Sequence, residues 1–373
     1  MTRQTKGTAD SRSTHFAGLD GLRGVAAGFV VLYHVLLPLS FKGDPHGYLA
    51  VDFFFMLSGF VVANAYQGRL CGAMTFREFV MIRLLRLYPL FVLGMGMGLV
   101  VSIIKAITTH SFSVGAFVQP TIMALLILPF GQYQHATLAF PFNGPAWSLF
   151  YEFVINFVFA ASVKFLTNKV LSFIVCVSAV VLAIQIYIYG SAFQGAGLTA
   201  YDLALARVTF SFFAGVGLFR LFTTYGIRNI RLGYLAAGFV LALILLSPVS
   251  LDGRIFDPLA IMIGFPIVML LSIWDEPSGF IRKFSLKVGA LSYPIYITHF
   301  PVVRIFQTFA ENHHLKGLSL VLMIMVEVGT VLVVGWIACD VFDGPLQSRL
   351  KKWLRRDTPR AAHFAAPPIN EAA

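Results

Sequence analysis

The sequence predicts an all-α, polytopic integral membrane bundle of about ten transmembrane helices plus one re-entrant or interfacial segment. Three observations carry that prediction. The 373 residues are 58% hydrophobic and only 12% charged, with a mean hydropathy of +0.79, whereas a soluble domain carries about 25% charged residues. Apolar runs recur along nearly the whole chain, eleven in all, at roughly 22–40, 48–66, 84–104, 115–130, 146–163, 170–189, 205–221, 232–248, 257–274, 289–309 and 318–342; runs of this length are what a bilayer crossing needs. Basic residues gather in alternate connections, as the bias of positive charge toward the cytoplasmic side requires.

In chain order, residues 1–18 form a polar tail without the apolar core of a cleavable signal peptide, so the first helix is expected to serve as the insertion signal. The tail carries Arg3, Lys6 and Arg12, and the connection after the second run carries Arg69, Arg77, Arg83 and Arg86. Further basic sets follow at Lys164 and Lys169, at Arg220, Arg228 and Arg231, at Arg282, Lys283 and Lys287, and at Lys351, Lys352, Arg355 and Arg356. The intervening SFKGDPHGY, SLDGRIFDP and ENHHLKG are less basic and read as external. Both termini then lie inside, which requires an even number of crossings. Eleven runs break that parity. The run at 115–130, interrupted by Gln119 and Pro120, is the one predicted not to span, which puts residues 131–147 outside. The chain divides into the tail 1–18, one transmembrane domain 19–345, and a basic then Ala/Pro-rich tail 346–373 with no fold of its own.

The net charge of +11 and pI near 9.7 follow from this topology and do not call for nucleic acid as a partner. The bilayer itself is the expected surrounding. Cys71, Cys176 and Cys339 show neither a CxxC pattern nor paired spacing, which argues against a disulfide framework or a zinc site, and no metal is expected. The 37 Phe residues suit lipid-facing and helix-packing surfaces and say nothing about chemistry.

Several polar residues sit where lipid makes them expensive. Arg23 and His34 are eleven residues apart, about 1100° of helix, so they share one face, separated by about 16 Å along the axis. Alone, Arg23 reads as a snorkelling flank charge and His34 as a packed histidine; together they outline a polar track. Arg83 and Arg86 share a face at the cytoplasmic edge, ahead of Pro89. They satisfy topology, and they also suit a phosphate clamp. In NGPAWSLFYE, Ser148 and Glu152 stand i, i+4, beside Trp147 and Tyr151. Glu152 is either a hydrogen-bonded structural carboxyl or the partner of a histidine. Asp52 and Ser58 interrupt YLAVDFFFMLSGFVVA, while Ser292, Tyr293, Tyr296 and His299 lie between Pro294 and Pro301 or close to them; each also reads as polar glue between helices. Gly94 and Gly98 have GxxxG spacing and read as packing.

FAGLDGLRGVAAGFVVLYH, AVDFFFMLSGFV, RLLRLYP, PAWSLFYE and LSYPIYITHFP occur in that order. With them the chain, over about residues 16–345, resembles the membrane-bound acyltransferase-3 family, the O-acetyl and O-acyl transferases of bacterial cell-surface carbohydrates. Arg23, ten residues and His34 match that family's R-x10-H signature. The resemblance implies a ten-helix enzyme of the bacterial inner membrane, with both termini cytoplasmic. It implies transfer of an acyl group, by default acetyl, from cytoplasmic acyl-CoA to a hydroxyl of a surface carbohydrate or lipid-linked precursor, with no bound cofactor. By resemblance His34 is the catalytic histidine, Glu152 supports the reaction centre, and Arg23, Arg83 and Arg86 handle donor phosphates. Asp52, Ser58, Trp147, Ser148, Tyr296 and His299 are candidate lining residues. The last helix departs from the pattern: CDVFDGPLQ offers Asp343 and Pro345 only loosely, and no role is assigned to them. The rival from another class is a proton-coupled transporter or exporter, which would also need intramembrane His, Arg and Glu. The absence of any echo of the first third later in the chain counts against it.

Overall fold

A computed structural model of the chain describes residues 15–37, 45–130, 139–193, 198–226 and 232–357. Arg3, Lys6, Arg12, Arg228 and Arg231, residues 131–138 of the predicted external segment, and residues 358–373 of the tail lie outside them. Among the described residues, each of the eleven apolar runs is a helix. They are α1 (Ala17–Leu36), α2 (Gly47–Cys71), α3 (Phe76–Thr108), α4 (Val114–Leu125), α5 (Ala146–Ser162), α6 (Asn168–Tyr189), α7 (Tyr201–Tyr225), α8 (Gly233–Leu246), α9 (Gly253–Ile273), α10 (Gly279–Asn312) and α11 (Gly317–Leu350). Seven of these, α1, α2, α3, α6, α7, α9 and α11, are long and apolar enough to cross a membrane. The protein is an all-helical polytopic membrane protein. The outward faces of α6 (Phe173, Val180, Ile184, Ile188) and α11 (Leu322, Met325, Val326) are exposed and apolar, as lipid contact demands.

Local chemistry sets the helix ends. Thr75 and Glu78 form a reciprocal capping box that starts α3, and the Asp252 carboxylate accepts the Arg254 N–H at the start of α9. These caps let helices begin in water-facing, charged turns well before the apolar run does. α4 is 12 residues long, about 18 Å, against a hydrocarbon core of about 30 Å. It follows the end of α3, and at its own end the Tyr88 hydroxyl, in the first half of α3, donates to the Leu125 carbonyl at 2.8 Å. Farther along α3, Gly94 and Gly98 lie against Ile297 and Phe142. α4 therefore runs back alongside α3, and Phe142, shortly before α5, packs against Gly98 in the second half of α3.

Three helix-interior prolines are matched by donors from elsewhere. A proline lacks an N–H, so the carbonyl four residues earlier loses its partner, a serious loss in lipid. For Pro89 that carbonyl is Leu85, which accepts from Gln347 Nε2 at 3.0 Å. For Pro301 it is Ile297, which accepts from Asn143 Nδ2 at 2.7 Å. For Pro294 it is Ala290, which the Cys339 thiol approaches at 3.9 Å.

The helix that carries Gln347 corrects one expectation. Residues 346–357, read as a tail without a fold, continue the last helix, since Gly344–Asp357 is helical. After Pro345 the segment LQSRLKKWLRRD is made largely of good helix formers. A π-helical turn at Ala338–Asp343 precedes it and turns Asp343 toward α3.

α1 and α10 lie along each other at very short range. A Cβ at Gly24 would meet the backbone of Val288, and one at Gly289 would meet the backbone and side chain of Asp20. These glycines let the two polar faces meet. At its start α1 is tied to the α9–α10 connection, where the Ala17 N–H donates to Glu276 Oε2 at 3.1 Å.

Candidate active site

A cavity of about 240 Å³ opens between α1, α2, α3, α5 and α10. Its outer part includes His15, Asp20, Asn64 and Ala65; its inner part reaches Ser148 and Tyr296. Arg23, Ser58, Arg83, Arg86, Ser148, Glu152 and Tyr296 all line it, so seven residues chosen from sequence converge on one space. Val51, Phe54, Phe55, Leu57 and Leu149 supply apolar parts of its wall, beside Ser292 and Tyr293.

Each cavity arginine has a carboxylate partner. Arg23 Nη2 lies 3.0 Å from Asp20 Oδ1, donates to the Gly289 carbonyl at 2.8 Å, and donates from Nε to Ser292 Oγ at 2.9 Å. Arg83 Nη2 pairs with Glu152 Oε1 at 2.9 Å, and Ser58 Oγ donates to the same oxygen at 3.0 Å. Arg83 Nε is buried with no hydrogen-bond partner among the described residues. Arg86 Nη1 pairs with Asp343 Oδ2 at 2.9 Å, while Gln347 bridges Asp343 Oδ1 and the Leu85 carbonyl. Three guanidinium groups thus gather at one mouth, each paired with one carboxylate.

Glu152 is therefore not the partner of a histidine. It sits one turn beyond Ser148 on α5 and faces α2 and α3, where Arg83 pairs with it and Ser58 donates a hydrogen bond to it. The partner of His34 is His299: His34 Nδ1 and His299 Nε2 are 3.3 Å apart, with ring centroids at 5.0 Å. His34 occupies the last turn of α1, so the track from Arg23 runs almost to the other end of that helix. Neither histidine lines the cavity. Tyr296 closes its inner end, and His299 stands less than one turn farther along α10, ring centroids 5.9 Å apart. The Tyr296 hydroxyl is fixed by the Pro145 carbonyl at 3.1 Å and Ser148 Oγ at 2.7 Å.

Asp52 and Trp147 belong elsewhere. Asp52, fully buried, receives Arg207 through Nη2 at 2.6 Å and Nε at 3.1 Å. The Arg207 guanidinium also donates to the carbonyls of Ala192 at 2.7 Å and Tyr48 at 3.2 Å, and lies 5.2 Å from the Trp147 ring. These are saturated contacts in a packed interior, away from the cavity, because the Asp52 face of α2 is turned to α7. Arg207 and Asp343 are the residues sequence reading missed or dismissed. An arginine inside the apolar run 205–221 was signal enough for the first; nothing in CDVFDGPLQ points to Arg86 for the second.

A family model described as "Acyltransferase domain" matches residues 16–339 of the chain. The chain is also similar to "Protein 2 in picA locus" of Rhizobium radiobacter, 37% identical over 187 residues, which cover 47% of this chain and 97% of that protein. No solved structure matches it.

Proposed function

The chain belongs to the acyltransferase domain family and is a membrane acyltransferase, and from that premise we propose that it moves an acyl group, by default acetyl, from cytoplasmic acyl-CoA to a hydroxyl of a cell-surface carbohydrate or its lipid-linked precursor. The observation that carries this reading is the polarity of the site. Arg23, Arg83 and Arg86 surround the cavity at the end where α1 begins, and the cavity runs inward to Tyr296, beside the His34–His299 pair. Coenzyme A carries phosphates at one end and a thioester at the tip of a long flexible arm. Phosphates at the arginines and an arm along α1 would bring the thioester toward His34, about 16 Å farther in. The unpartnered Arg83 Nε offers one more donor for that ligand. Tyr296 must move aside for the thioester to meet His34.

In the reaction, the unprotonated nitrogen of His34 accepts the proton of the acceptor hydroxyl as its oxygen attacks the thioester carbonyl carbon. The C–S bond then breaks, and the departing thiolate takes the proton back from the imidazolium. The alternative, an acyl-histidine, uses the same nitrogen as nucleophile. Arg83 and Arg86 bind, and Glu152 and Asp343 orient them. The protein sits in the bacterial inner membrane with both termini cytoplasmic. Ten helices cross, and α4 enters without crossing, in keeping with its length and the Tyr88–Leu125 contact.

The test is transfer of labelled acetyl from acetyl-CoA to a surface-glycan extract by membranes that contain wild type or His34→Ala protein. Label in the glycan with wild type alone, at equal protein abundance, is the expected result. Equal labelling by both proteins removes His34 from the chemistry. No labelling with acetyl, succinyl or longer donors rejects the donor and acceptor classes proposed.

A further inference from the structure

Carbonyl oxygens only accept hydrogen bonds, and that fact orders the protons of the histidine pair. His299 Nδ1 lies 2.7 Å from the Tyr296 carbonyl and 3.3 Å from the Ile295 carbonyl, so Nδ1 carries its proton. His34 Nδ1 lies 2.9 Å from the Val30 carbonyl, so it too is an N–H. The single Nδ1 proton of His34 is therefore shared between the nearer Val30 carbonyl at 2.9 Å and His299 Nε2 at 3.3 Å, a ring nitrogen that must be bare. A proton on that nitrogen would set two N–H groups against each other. The same reasoning leaves His34 Nε2 as the unprotonated nitrogen of its ring, and no described residue bonds it.

We propose that His299 is a positioning residue that, together with the Val30 carbonyl, holds His34 as its Nδ1–H tautomer and aims His34 Nε2 at the substrates. The chain of contacts runs Tyr296 carbonyl, His299, His34, Val30 carbonyl, with each ring proton set by the acceptor it faces. A third group that orients the base is the general logic of activated hydroxyl chemistry; here a neutral, fully buried imidazole takes the place that a carboxylate holds elsewhere. The backbone link through Tyr296 also ties the pair to the residue that closes the cavity. As a packing group alone, His299 would have no need to present its bare nitrogen to His34.

This inference rests on His34 being the reacting histidine, and the experiment separates the two claims. Purified protein labelled with ¹⁵N-histidine gives the His34 ring nitrogens by difference from His34→Gln. Wild type should show His34 protonated at Nδ1 and bare at Nε2. His299→Gln places an amide oxygen about where the bare nitrogen stands, and it should keep that tautomer. His299→Asn is polar but too short, and it should lose the tautomer in part. In the acetyl-transfer assay kcat should fall about tenfold or more in the Asn variant, with KM for acetyl-CoA unchanged, and recover to within a few-fold in the Gln variant. Identical His34 tautomers in all three proteins, or equal activity of the Gln and Asn variants, would overturn the assignment. A wild type with the expected tautomer but no transfer would instead count against the proposed reaction and leave the positioning geometry standing.

Discussion

Asp52 and Arg207 stand 155 residues apart in the chain, and their bond shows why residue-level reading stops where it does. Asp52 attracts notice in an apolar run because a carboxylate there needs a partner. The sequence contains many cations, and nothing in it selects Arg207 over the arginines of α3. Residues that share one helix fared better. Arg23 and His34 were placed on one face by the helical repeat alone, and both do reach α10, at Ser292 and His299. Their targets could not be read, since they lie more than 260 residues away. The burial of Asp52 and Arg207 carries a prediction. Removing one member of a buried ion pair strands the other, at a cost of about 3–5 kcal/mol. Asp52→Asn and Arg207→Met should each lower the melting temperature of the detergent-purified protein markedly, and Asp52→Leu with Arg207→Met should lie closer to wild type than either single change. If Asp52→Asn instead melts like wild type and loses only acyl transfer, Asp52 belongs to the reaction and not to the scaffold.

At the scale of the element, all eleven apolar runs became helices, because apolar length is the property that both the sequence pattern and the bilayer select. The ends were less legible. α3 begins at Phe76 and α10 at Gly279, well ahead of the apolar runs at 84 and 289, because polar, charged turns, capped in α3 by Thr75 and Glu78, continue a helix into water without adding hydropathy. The last helix was missed for a related reason: its residues are polar, and its purpose lies in another helix. Pro89 opens the hydrogen-bond ladder of α3 at Leu85, and Gln347 closes it while it also holds Asp343 against Arg86. Gln347→Leu should therefore destabilise the protein by about 1–3 kcal/mol, the cost of leaving a buried acceptor unmet. Pro89→Ala, which restores the missing N–H, should make the same Gln347 change nearly silent. Thermal unfolding of the two singles and the double measures the coupling. An equal penalty for Gln347→Leu on both backgrounds would mean that the side chain acts through Asp343 and Arg86 alone.

For the whole molecule, orientation decides whether the site can meet its substrates. The arginine-lined mouth is bounded by the start of α1 and the end of α2, next to the start of α3, and the basic connections sit at this same end. In the proposed orientation, which follows the positive-inside bias, that end faces the cytoplasm and its acyl-CoA, and His34, in the last turn of α1, faces the acceptor side. The charges alone suggest the proposed topology with both termini inside, and the packing of α4 against Tyr88 supports the same reading of residues 115–130. Native cysteines test the arrangement directly. Cys71 is exposed at the end of α2, on the side of the mouth, while Ser250 is exposed in the connection between α8 and α9, at the opposite end. With Cys176 and Cys339 replaced by Ala, a membrane-impermeant maleimide should leave Cys71 unlabelled in intact cells and label it once the membrane is opened. Ser250→Cys, in a chain that also lacks Cys71, should label in intact cells. The reverse pattern would turn the cavity mouth away from cytoplasmic acyl-CoA, and the donor side of the proposed reaction would then have to be abandoned even if His34 proved essential.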